Sequence, residues 1–255
     1  MKSFKHGIGA FHLAVALGAV AMACVLSGCA TPIKSEDLSR IKTIGIVSYT
    51  GSVLTLLHGD SSFGSVLSNN NADISDWGID AAIIEEATRA LGGRFAVREL
   101  AYDPTPPPFA VDFNTEHNIG LVELVRRSLG PHTGEPVDAY IVIYPWVTPD
   151  IFHGRAFEVG IGVYESTNFL TSWTAVYTAS GIVVLDGRTF EQLGEARLRS
   201  STEAYRYFVR VDRRGLFAET FDQLSAAQKQ EINTLVKELL RDEIPATLRT
   251  LRLIP

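Results

Sequence analysis

Cysteine is almost absent: Cys24 and Cys29 are the only two in 255 residues, and none follows position 29. A disulfide framework is therefore excluded from the bulk of the chain, and stability there must come from packing. Positive charge is also short, with 23 Lys and Arg against 29 Asp and Glu and a formal net charge of -6. Such a chain lacks the basic face that phosphate contact requires, so nucleic acid is not an expected partner. Missing too is any apolar run long enough to cross a bilayer. The longest, LAVALGAVAMACVL at 13–26, holds fourteen residues. That is about 21 Å of helix, against a hydrocarbon core of about 30 Å.

What the run does fit is a signal peptide. Lys2 and Lys5 precede it with no acid, and Leu26-Ser27-Gly28-Cys29 closes it. These four residues resemble the bacterial lipobox. The resemblance implies that the Cys29 thiol receives a diacylglycerol, that residues 1–28 are removed, and that the new terminal amine of Cys29 is acylated in turn. A lone cysteine then needs no partner, because its sulfur is consumed in a thioether, and two or more long chains hold a protein on a membrane. Ala30 is not the aspartate that resembles an inner-membrane retention signal. In a host with two membranes, the expected location is the outer membrane, lipid-anchored and facing the periplasm. Cleavage removes Lys2 and Lys5 and no acid, taking the formal charge from -6 to -8.

Residues 29–40 read as a short polar, lipidated tether and 41–255 as one domain. IKTIGIVSY (41–49) has the β-branched content of a buried strand. The Gly, Ser and Asn-rich stretch 50–76 is too long for an idle connector, and VLTLLHG within it suggests a short hairpin. A helix is expected from an N-cap at Ser75 or Asp76 to Leu91, with Ile79, Ala82, Ile83, Ala87 and Leu91 on one face. RFAVREL (94–100) makes a strand, IGLVELVRRSL (119–129) a helix and VDAYIVIYPW (137–146) a strand. FEVGIGVY (157–164), WTAVYTASGIVVLD (173–186) and LGEARLRS (193–200) read as antiparallel strands, the last two joined at Asp186-Gly187. A capping box at Ser225 and Gln228 opens a final amphipathic helix, expected to be interrupted at Pro245. The fold class is α/β (α+β): a mixed sheet of about five to six strands, β-α-β-α-β followed by antiparallel strands and a C-terminal helix.

No catalytic residue, metal ligand set or cofactor motif emerges. His58-Gly-Asp60-Ser61-Ser62 lines up triad chemistry in sequence, but triad partners meet in space, and Phe63 breaks the nucleophile-elbow pattern. Gly160-Ile-Gly162 lacks the third glycine of a phosphate cradle and fits close packing across a sheet instead. His58, His117, His132 and His153 share no ligand spacing and read as solvated loop residues. YRYFVRVDRRG (205–215) interleaves aromatics with arginine. Arg206, Tyr207, Arg210, Arg213 and Arg214 are therefore candidates for binding a partner. The competing reading is an edge strand whose arginines deter sheet-to-sheet association.

The β-α-β-α-β opening, the GGRFAVREL exit from the first helix, the hairpin at Asp186-Gly187 and the closing helix resemble periplasmic lipoprotein domains. The families in question are the curli-secretion lipoproteins and the lipoprotein activators of penicillin-binding proteins. The resemblance implies a non-enzymatic binding or assembly module of the cell envelope, anchored through Cys29, with an envelope protein as partner. The alternatives are a subunit of an outer-membrane secretion channel, with residues 155–186 as a membrane hairpin, and a hydrolase. The 50–76 insertion and the loop DPTPPPF depart from the family pattern.

Overall fold

The computed structural model describes residues 30–60, 65–103, 119–129, 136–149, 157–167, 172–198, 208–211 and 215–255. Four α-helices are α1 (Ser35–Arg40), α2 (Ile79–Leu91), α3 (Ile119–Leu129) and α4 (Ala226–Thr250). The strands are β1 (Thr43–Ser48), β2 (Val53–Asp60), β3 (Ser65–Asp73), β4 (Ala96–Arg98), β5 (Ala139–Pro145), β6 (Val147–Pro149), β7 (Phe157–Thr167), β8 (Ser172–Asp186), β9 (Gln192–Arg197) and β10 (Phe208–Val211). The architecture is mixed α/β.

β1 lies between β4 and β5 and runs parallel to both, the product of two helical crossovers through α2 and α3. The long strand β8 organises the rest. Its second half pairs with β5 on one edge and β9 on the other; its first half pairs with β7 and β10. The change of partner falls between Ala179, opposite Gly160, and Ser180, opposite Pro145. Two five-stranded sheets, β4-β1-β5-β8-β9 and β3-β2-β7-β8-β10, thus share one strand, with β6 added against β7. The sheet is larger than the five or six strands expected because the 50–76 insertion is itself a full hairpin, β2–β3. Its inner strand β2 pairs in parallel with β7.

The β7–β8 hairpin is central to this arrangement. Ile161, Val163, Ile182 and Val184 are fully buried. Gly162 faces Tyr177 directly, and a Cβ there would lie 2.2 Å from the Tyr177 hydroxyl oxygen. The glycine is a close-packing residue, as expected of it.

Three local differences have physical causes. The helix begins at Ile79 rather than near Ser75, because Gly78 is left-handed (φ 65°) and closes a separate 3-10 turn at Ser75–Trp77. α4 continues through Pro245 to Thr250. Proline forfeits one backbone bond, but Thr247 and Leu248 beyond it are buried, and packing outweighs that loss. Residues 31–40, expected as a free tether, belong to the body. Thr31 and Glu195 exchange two backbone bonds at 2.7 and 2.9 Å, Ile33 is fully buried, and its N–H donates to the Leu251 carbonyl at 3.4 Å.

The stripe of α4, Ile232, Val236, Leu239, Leu240, Ile244 and Leu248, is buried, and the helix packs on α2 and β8. Both halves of the Ser225–Gln228 capping box form. Set into the stripe is Glu243, wholly inaccessible to solvent. One carboxyl oxygen accepts from the Thr178 hydroxyl; the other has no protein partner. Burial raises its pKa well above the ordinary value of 4.5, against the opposing Thr178 bond and with Asp242 adding to the rise. Its neutral form contributes stability that is fully present below that ordinary value and is lost as pH climbs toward the folded value. Glu243→Gln is therefore expected to raise the melting temperature, by little at about pH 4 and progressively more toward about pH 8. Thermal melts across that range check it; a gain that does not grow with pH would show that the carboxyl is not held neutral.

Candidate functional site

A group of interacting polar side chains lies where the chain crosses the β2–β3 hairpin before entering α4. His58 sits on β2, in register with Ser68 on β3 and Glu165 on β7, so all three share one face. The segment from Gly215 runs over that face into a 3-10 turn, Phe221–Gln223, closed by a Thr220–Gln223 capping box. Glu219 is its point of attachment. One carboxyl oxygen is 3.1 Å from His58 Nδ1, the other accepts from the Ser68 hydroxyl at 2.6 Å, and the Glu219 carbonyl accepts from the Asn70 amide at 2.8 Å. His58 Nε2 lies 3.3 Å from Thr167 Oγ1, and the Phe217 ring packs on the imidazole at 5.5 Å.

The two carboxylates differ in environment. Hydrogen bonds from Ser68 and His58 hold the Glu219 carboxyl below the usual range. Burial pushes Glu165 up, with the charge of Glu219 adding to the rise and His58 opposing it. Hydroxyl, imidazole and carboxylate stand in the order of a nucleophile, base and orienting acid. Glu219 is about half exposed, however, and its three attachments all tie the 215–223 segment to the hairpin. The geometry is that of a clasp. His58, expected as a solvated loop residue, is a mostly enclosed strand residue instead.

The carboxyl end of β1, at the kind of sheet end where open α/β sheets commonly take ligands, is filled by the chain itself. Asp80, in the first turn of α2, accepts from the Ser48 hydroxyl at 2.5 Å and from the Thr50 and Gly51 amides at 3.1 and 3.0 Å. Burial raises its pKa in spite of these three donors. The Tyr102 hydroxyl donates to the Ser48 carbonyl at 3.0 Å and accepts from the Ser48 amide at 3.1 Å, completing the edge of β1 as a neighbouring strand would. Two clefts flank α2: one against β4, lined by Ile84, Thr88, Val97 and Leu100, and one against α4, lined by Glu85, Glu86, Arg89, Lys237 and Arg241. Among the described residues no group of His, Cys, Asp and Glu is placed to hold a metal ion, and no helix is long and apolar enough to cross a membrane.

Of the residues singled out from sequence, Leu26, Ser27, Gly28 and Cys29 lie outside the described residues, as do Arg206, Tyr207, Arg213 and Arg214. His117, His132 and His153 lie outside them as well. Arg210 is on β10, opposite Ala175 of β8. Among the described residues β8 is the only strand that pairs with β10, so among them β10 is an edge strand of its sheet. The clasp follows immediately in the chain. Glu219, Glu165 and Asp80 escaped the sequence reading because each is an isolated acid whose partners are distant in the chain. The available signal was position: Asp80 opens a helix, and Glu165 continues the alternation of β7. Compared with known proteins, the chain matches no family model, no curated protein and no solved structure.

Proposed function

We propose that this protein is a periplasmic lipoprotein of the outer membrane, anchored through Cys29, that acts as a non-enzymatic binding and assembly module of the cell envelope. The observation that carries the reading is Leu26-Ser27-Gly28-Cys29 at the end of a fourteen-residue apolar run with a basic start. The arginine and aromatic stretch 205–215 is the segment that would bind an envelope protein. It contains an edge strand, β10, and leads into a segment clasped by Glu219 to His58, Ser68 and Asn70. Arginine with aromatics is the composition of binding hot spots. The catalytic role of no residue is invoked, and neither a metal nor a cofactor.

The experiment is Cys29→Ala in a Gram-negative host supplied with a labelled fatty acid. The parent chain is expected to incorporate label and to lose residues 1–28. The variant is expected to remain unlabelled at precursor mass. Label on the variant, or an unlabelled parent chain, would end the lipoprotein reading.

A further inference from the structure

We propose that the face of the body around Thr31 lies against the phospholipid headgroups of the bilayer that holds the anchor. This rests on the lipidation of Cys29. Only Ala30 stands between that cysteine and Thr31, and Thr31 is already fastened to β9 by two backbone bonds to Glu195. Two fully extended residues span about 7 Å. The thioether carries its glycerol at headgroup level, so Thr31 has no length of chain with which to rise away from the membrane. An ordinary tether would leave the orientation of the body free; the burial of Ile33 and its bond to Leu251 remove that freedom.

The side chains at this face suit the surface they would meet. Lys34 precedes α1 and Lys42 follows it, both exposed. Arg252 adjoins Leu251, whose carbonyl holds Ile33, and Arg94 donates to the Arg252 and Leu253 carbonyls at 3.0 and 3.1 Å. Arg94 and Arg252 are exposed as well. Of the nearby acids, Asp37 is paired with Arg40, and the Asp138 carboxylate accepts the Lys42 and Thr43 amides; Glu36 stays exposed. Glu195, the partner of Thr31, is an acid here as well, its carboxyl oxygens accepting from Tyr144 and Gln192; the exposed Lys34, Lys42, Arg94 and Arg252 carry the sign that anionic headgroups attract within a Debye length.

The mature chain offers an unusually clean test, because the sulfur of Cys29 is consumed and no other cysteine remains after cleavage. A single added cysteine is then the sole site for a thiol-reactive dye. Ser35→Cys, exposed on α1, reports on the proposed face. Asn69→Cys, exposed on β3, reports from four strand spacings beyond β9, about 19 Å away along the sheet. Each full-length chain is lipidated in the host, purified and reconstituted in phosphatidylcholine–phosphatidylglycerol vesicles carrying a nitroxide on the headgroup. Quenching is expected to be several-fold stronger at Ser35→Cys than at Asn69→Cys. Inserting a Gly/Ser segment of about 20 residues between Ala30 and Thr31, with an r.m.s. span of about 25 Å, is expected to reduce the Ser35→Cys signal toward the other. Equal quenching at the two positions without the insert would overturn the inference while leaving the anchor in place. A purified chain whose mass shows no diacylglycerol would overturn both.

Discussion

Gly187→Ala is expected to lower the melting temperature by about 6–12 °C. A Cβ at Gly187 would lie 1.9 Å from the Val137 carbonyl oxygen and 2.7 Å from its carbon. Both are backbone atoms, held in place because Asp138 is tied to β1 through Thr43 and Lys42 and its carbonyl accepts the Gly187 amide at 2.8 Å. No side-chain rotation relieves that contact, so the β8–β9 turn or the entry to β5 must shift. The turn has little freedom to do so. Asp186 Oδ1 accepts the Arg188 and Thr189 amides at 2.9 Å each. Phe190, at φ 61°, is pinned between the Tyr140 ring, stacked at 5.3 Å, and the Arg126 guanidinium at 5.0 Å. Overpacking of a tight site costs about 3 kcal/mol, and a chain of this size loses about 2–4 °C per kcal/mol. Gly93→Ala is the control, since a Cβ there meets nothing within 4 Å; its melting temperature is expected to stay near that of the parent. Calorimetry on both variants decides the matter, and equal melting temperatures would mean that the turn yields without cost.

Asp80→Ala is expected to cost about 3–5 kcal/mol, or roughly 10 °C, because it strands three donors at once. Ser48 is fully buried and Thr50 nearly so, and with Gly51 they direct one hydroxyl and two amides at a single carboxyl oxygen. Each buried donor left without a partner costs about 1–3 kcal/mol, discounted here for the water that the smaller side chain admits. Asp80→Asn retains an acceptor oxygen in the same place and is expected to lose less than half as much. If alanine and asparagine proved equally mild in denaturant titrations, the β1–β2 junction would have to be held by something other than this acid.

How far the fold could be read in advance depended on whether a segment's signal was local. α3 and the capping box of α4 are set by residues within a few positions of each other, and both appear where the periodicity puts them. The β2–β3 hairpin was only half visible, because β3 reads Ser-Val-Leu-Ser-Asn-Asn-Asn-Ala-Asp, a composition of loops. An outermost strand needs no apolar face of its own, and cross-strand bonding to β2 overrides propensity. Asp186-Gly187 marked the turn between β8 and β9, yet Gly187 has no positive φ; the glycine is required by a carbonyl 50 residues earlier, which no local pattern reveals. Glu243 was legible in principle. It falls three and four residues after Leu240 and Leu239 on the same stripe, and a helix face that continues at Thr247 and Leu248 must carry it inside. The clasp depended on four segments meeting, and only the fold brings Glu219 to His58.

The shared strand has a thermodynamic consequence. Two sheets with separate strands could melt separately, giving a half-ordered species with an open edge that recruits other chains. Here β8 is hydrogen-bonded on both edges along most of its length, to β7 and β10 over one half and to β5 and β9 over the other. Removing either sheet strips one half of β8 of its neighbours and leaves the remaining half tethered to a frayed end at Ala179–Ser180. Neither sheet is therefore expected to be a foldon in its own right, and amide protons of β1 and β2 are expected to share one global opening free energy in hydrogen exchange.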